Sequence, residues 1–230
     1  TCALNDDIFG LLALIASGTS SNNQIKQEVL SFLISKQDPI DNGFSFSAPG
    51  CPYYSTSADI TGAAAQALAY AKINGLTSAG LDSAITKADS YLFANQNRDG
   101  GFGYFGTSDT DTTGWVVIAF NALGFKDTPQ AGKARDWLIS KQSPTDGGFL
   151  AFDYGSNTFA SNSTTTAQAV IALSGSSWIL KIFEPTINPS LTPTPIAPDS
   201  VTPTPTPTPT IPPPPTPPPP VPPAPRPLPL

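Results

Sequence analysis

The stretch Asp111-Thr112-Thr113-Gly114-Trp115-Val116-Val117-Ile118-Ala119-Phe120 opens on a good helix-capping residue and continues with small or apolar side chains on nearly every side of a helical turn. A helix of that composition is buried. The same layout recurs at Asp7-Ile8-Phe9-Gly10, Asp59-Ile60-Thr61-Gly62 and Ser163-Thr164-Thr165-Thr166, with 52 residues between successive marks (59 − 7, 111 − 59, 163 − 111). A fixed period of this size predicts an array of helical units. Asp7, Asp59, Asp111 and Ser163 are each expected to serve as the N-cap of their helix.

Between the marks the sequence predicts a second helix with a polar, solvent-facing stripe. The buried helices are expected near residues 7–18, 59–73, 111–124 and 163–174, and the second helices near 22–36, 79–95 and 129–141, with Pro129 at the favoured first position. The second helices run into Gln37, Gln96 and Gln142. Each Gln precedes a turn and a ring: Asn42-Gly43-Phe44, Gly100-Gly101-Phe102 and Gly147-Gly148-Phe149. Glycine is expected where the chain must reverse tightly beneath a packed ring.

Composition divides the chain at about Glu184. Of its 27 prolines, 22 lie between Pro185 and Pro229, where Pro-Thr alternation and Pro runs supply neither backbone donors nor a core. Residues 185–230 are therefore expected to be an extended or disordered spacer, of which the stretch from Thr192 to Leu230 alone could reach roughly 120 Å. Residues 1–184 are expected to form one all-α domain. The formal net charge of −6 argues against nucleic acid as a partner, and the absence of His excludes imidazole catalysis and His metal ligands. No stretch reaches the roughly 20 apolar residues of a membrane span. The chain has no Met, which suggests a processed protein or a piece of a longer one.

Lys87-Ala88, Tyr91-Leu92, Gln96, Gly100 and Phe102 resemble the repeat of the squalene and oxidosqualene cyclases. Lys133-Ala134, Trp137-Leu138, Gln142, Gly147 and Phe149 match again with one residue inserted in the turn, and Phe32-Leu33, Gln37, Gly43 and Phe44 form a looser copy. This resemblance to the prenyltransferase and squalene cyclase repeat superfamily implies a terpenoid cyclase-like α/α toroid, with the small-residue helices as its inner ring. Four inner and three outer helices make about three and a half pairs. The chain is thus expected to form a partial toroid, an open arc whose apolar inner surface would be covered by another protein or domain completing the ring.

The resemblance also supplies candidate chemistry. Asp109-Thr110-Asp111-Thr112 is similar to the cyclase acid motif, with Asp111 in the place of the proton donor and Asp109 beside it, but Thr112 stands where a second carboxylate would tune the acid. The capping role explains Asp111 equally well. A prenyltransferase-like zinc site lacks its His ligand, so no metal and no cofactor is expected. A cobalamin-carrier-like domain would need a partner domain. The Asp99 and Asp109 pair offers too few ligands for a calcium loop.

Phe102, Tyr104, Phe105, Trp115, Phe149 and Tyr154 are the candidate ligand-binding rings, suited to an apolar small molecule or a carbohydrate. The competing reading makes most of these rings core. Cys2 and Cys51 lie five and eight residues before Asp7 and Asp59, at one rim of the expected arc. They are expected either to bridge, closing about 48 residues for roughly 3 to 4 kcal/mol, or to remain buried thiols. A bridge would place the protein in an oxidising compartment. The sequence thus points to a secreted or surface-tethered module for ligand binding or assembly, with a terpene cyclase as the alternative.

Overall fold

A computed structural model describes residues 2–18, 24–153 and 158–178, which are mostly helical. The Pro/Thr segment 185–230, the apolar segment Ile179 to Phe183 and Tyr154 lie outside the described residues. The helices are α1 (Asn5–Ala16), α2 (Gln24–Ser35), α3 (Ala58–Ile73), α4 (Leu81–Ala94), α5 (Thr110–Leu123), α6 (Pro129–Ile139) and α7 (Ser163–Leu173). Three short antiparallel hairpins, too short to show a period-2 pattern, precede α3, α5 and α7: β1 (Phe44–Ser45) with β2 (Thr56–Ser57), β3 (Gly103–Tyr104) with β4 (Thr107–Ser108), and β5 (Leu150–Asp153) with β6 (Thr158–Ser161).

The helices form two rows. In the first, α1, α3, α5 and α7 pack side by side in chain order. In the second, α2 packs on α1 and α3, α4 on α3, and α6 on α5 and α7. Residues of the first row are small because helices press on them from both flanks. In α3 every residue from Thr61 to Ala69 is buried. A Cβ on Gly62 would stand 3.1 Å from the Trp115 carbonyl oxygen, so glycine sets the spacing of α3 and α5 there.

The recurring Gln and Gly-Phe residues hold the rows together. Gln37 Nε2 donates to Asn42 O within its own turn and to Ala84 O on α4, at 2.9 and 3.0 Å. Gln96 Nε2 repeats this with Gly100 O and Gln130 O, both at 2.8 Å, whereas Gln142 makes the bond to Gly147 O. A Cβ on Gly43 would strike the Tyr91 ring at 2.6 Å, and one on Gly101 the Trp137 ring at 2.7 Å. Only glycine lets the turn pass under those rings.

The Phe after each glycine is buried, and its amide donates to a threonine one turn inside the following helix. The pairs are Phe44 to Thr61, Phe102 to Thr113 and Phe149 to Thr166, at 2.8, 2.9 and 2.9 Å. Their spacing is 52 and then 53 residues (113 − 61, 166 − 113).

The capping expectation is corrected. Helix α5 is capped by Asp109, whose carboxylate accepts from Thr112 N, and α7 by Asn162, which accepts from Thr164 N and Thr165 N. Ser57 precedes α3 without a side-chain cap bond, and Leu4 precedes α1. Asp7, Asp59, Asp111 and Ser163 therefore lie inside the first turn, where Asp is still favoured by the free amides and the helix dipole.

Cys2 and Cys51 form a disulfide with Cα atoms 5.8 Å apart. Leu4 N donates to Phe46 O and Ala48 N to Cys2 O, both at 2.8 Å, so backbone pairing brings the two segments together. Among the described residues no helix is long and apolar enough to cross a membrane.

Candidate functional site

The starts of α3 and α5 carry three carboxylates, Asp59, Asp109 and Asp111. Asp109 uses one oxygen on Thr112 N at 2.7 Å and the other on the Thr112 hydroxyl at 2.8 Å. Burial raises its pKa, the Thr112 bonds oppose this, and the charges of Asp111 and Asp59 add to the rise. Asp111 reaches across to α7: Thr165 donates its hydroxyl proton to Asp111 Oδ1 at 2.5 Å. In the orientation of the Gln168 amide that satisfies both neighbours, its nitrogen donates to the same oxygen at 2.9 Å and its oxygen accepts from Trp115 Nε1 at 3.1 Å. Asp111 thus ties α5 to α7.

Asp59 accepts from the Tyr104 hydroxyl at 2.9 Å, while its buried Oδ1 has no partner. Burial and the Asp59 charge push the Tyr104 phenol well above its usual range, keeping it a proton donor. Asp99, considered with Asp109 for a cation, is employed in its turn: Oδ1 accepts from Gly101 N and the Ser108 hydroxyl, and Oδ2 from Trp137 Nε1. Burial would raise its carboxyl, but these donors and Lys141 hold it below the usual range. Among the described residues no group of three His, Cys, Asp or Glu is arranged to hold a metal ion.

The candidate rings divide by depth. Phe102 and Phe149 are core, at 0% and 4% exposure. Tyr104 is half exposed and Phe105 fully so at the β3–β4 turn, where Phe105 adopts a φ of 53° that bulky residues rarely take. Trp115 lies in the middle of the first row. Its ring meets Phe9 of α1 edge-on at 5.5 Å and stacks with Trp178 at 5.5 Å and 15°.

Residues that follow α7 complete this face. Trp178 N donates to Gln66 Oε1 at 2.8 Å, the hydroxyls of Ser177 and Tyr70 are hydrogen-bonded, and Asn121 Nδ2 donates to Ser176 O at 2.8 Å. Sequence reasoning missed Gln66, Tyr70 and Asn121. The available signal was a fully apolar helical stretch interrupted by a buried amide, as at Gln66 within Ala63–Ala69. A surface groove lined by Lys72, Leu76, Thr77 and Asp82 lies elsewhere, at the α3–α4 turn, with an exposed Lys72–Asp82 ion pair at 2.7 Å.

No family model matches the chain, and no curated protein is significantly similar to it. The arrangement itself can stack a flat ring on Trp115 and hydrogen-bond through buried amides. Both oxygens of Asp109 and the Oδ1 of Asp111 are engaged by donors.

Proposed function

We propose that residues 2–178 are an arc of an α/α toroid and act outside the cell as a noncatalytic binding module. Its ligand face is the concave side of the first helix row. The observation that carries this reading is the edge-on contact of Phe9 with Trp115, at 5.5 Å, across the intervening helix α3. In a flat row, axes two helices apart stand about 16–20 Å apart. With helix diameters of about 10–12 Å, such side-chain envelopes would not meet. A row that curves brings the rings together over its middle helix.

The three matching Phe–Thr bonds and the two-armed Gln37 and Gln96 support the repeated unit that the cyclase-like motif implies. The disulfide supports an oxidising compartment. Binding rather than catalysis is supported by Asp111, whose Oδ1 is occupied by donors from α7, and by Thr112 in place of a second acid.

One observation favours the cyclase alternative: Asp109 is raised, with Asp111 and Asp59 contributing. Both of its oxygens, however, serve the helix start as acceptors. Incubation of the protein with squalene or geranylgeranyl diphosphate, beside Asp111→Asn, separates the readings. No cyclised product is expected from either protein. Product formed by the native chain and lost in Asp111→Asn would overturn the binding reading.

A further inference from the structure

The segment Ser176–Trp178 lies against α3 and α5. Two of its contacts from α3 and α5 are directed at its backbone: Asn121 Nδ2 donates to Ser176 O, and Gln66 Oε1 accepts from Trp178 N, both at 2.8 Å. Tyr70 pairs with the Ser177 hydroxyl, and one ring, Trp178, is read by stacking on Trp115. Backbone bonds for affinity and one side-chain platform for selectivity are the logic of peptide recognition.

Two unmade bonds flank the same segment. Gln66 is fully buried, yet its Nε2 has no partner, and the buried Oδ1 of Asn121 has none either. A side-chain amide can pair with the N–H and C=O of an extended backbone together. Here each amide completes only part of its bonding capacity. One orphan donor and one orphan acceptor on neighbouring helices are costly to leave unpaired, and an extended chain following this path could satisfy both.

We propose that the face formed by Gln66, Tyr70, Trp115 and Asn121 is a recognition site for an extended peptide bearing a Trp side chain, and that Ser176–Trp178 occupy it as a built-in competitor. This rests on the binding reading above and specifies its ligand. The tethered segment acts at an effective concentration on the order of millimolar, so it excludes weaker peptides in trans. It makes fewer bonds than the site offers, so a better-matched peptide displaces it.

The test uses the full chain and fluorescein-labelled acetyl-Gly-Ser-Ser-Trp-amide, followed by fluorescence anisotropy. Trp178→Ala is expected to bind this peptide at least about ten-fold more tightly than the native protein. Gln66→Leu added to Trp178→Ala is expected to abolish that binding. Circular dichroism reports folding, and Trp178→Leu replaces Trp178→Ala if the latter unfolds. Equal binding by native and opened proteins, binding by neither, or binding retained in the double variant would each overturn the proposal. Lack of peptide binding without squalene turnover removes this site and leaves the noncatalytic reading standing. Squalene turnover removes the reading itself, and this proposal with it.

Discussion

Thr113→Val probes the bond that fixes each hairpin to its helix. The Thr113 hydroxyl accepts from Phe102 N at 2.9 Å and donates to Phe102 O at 3.1 Å, and both residues are fully buried. Valine keeps the shape and removes both bonds. The Phe102 carbonyl retains Asp109 N as a donor at 2.9 Å, so the main loss is an amide N–H left without an acceptor. That costs about 1–3 kcal/mol, and about 2 is expected here. For a domain of this size the melting temperature would fall by about 4–8 °C. Thr166→Val should cost less than about 1 kcal/mol, because Thr166 is only partly buried and water can serve the freed Phe149 amide. Urea unfolding followed at 222 nm with the disulfide intact gives both values, provided the slope with denaturant is unchanged. A Thr113→Val effect below about 0.5 kcal/mol, or a Thr166→Val effect as large, would refute the reasoning.

Burial pushes Asp89 up to about 6, and its buried Oδ1 has no partner. The folded state therefore holds a proton that the unfolded state has released, and stability falls as pH rises from about 4 to 6. The full shift corresponds to about 3 kcal/mol, which solvent access reduces to about 1. Asp89→Asn should raise the melting temperature at pH 7.5 and leave it unchanged near pH 3.5; a destabilised variant at pH 7.5 would contradict this. Removal of the Cys2–Cys51 bridge by Cys2→Ala and Cys51→Ala together releases a 49-residue loop. It should cost about 2–4 kcal/mol in chemical denaturation, and no change would show that the bridge does not constrain the unfolded chain.

The alternation of helices was legible because Ala-rich and Leu-rich runs end at glycine, and because Gln and Gly-Phe mark each turn. Their partners on neighbouring helices were not. Gln96 shows in the sequence as a helix end, whereas its bond to Gln130 O depends on how α4 and α6 pack. The caps were misplaced because Asp is favoured both at the cap and in the first turn, so Asp109-Thr110-Asp111 offers two equally good starts. Thr166 was hidden because it stands 53 residues after Thr113, one off the 52-residue spacing, and the 52-residue mark falls on Thr165 instead. Phe102 and Phe105 are three residues apart, yet one is core and the other fully exposed. A two-residue ladder, Gly103–Tyr104 with Thr107–Ser108, decides which ring turns inward, and it is too short to leave a periodic signature. Trp115 was singled out in the sequence, but Gln66, Tyr70 and Asn121 escaped because they are scattered among Ala and Val positions and meet Ser176–Trp178 only once the helices are packed.

The proposed bend of the first row is tested most directly by a double-mutant cycle on Phe9 and Trp115. The cycle compares the unfolding free energies of Phe9→Ala, Trp115→Ala and the double variant with that of the native protein. An edge-on aromatic pair at 5.5 Å predicts a coupling of about 0.5–1.5 kcal/mol. Additive effects, within about 0.3 kcal/mol, would mean that the rings do not touch and that the first row does not curve around a concave face.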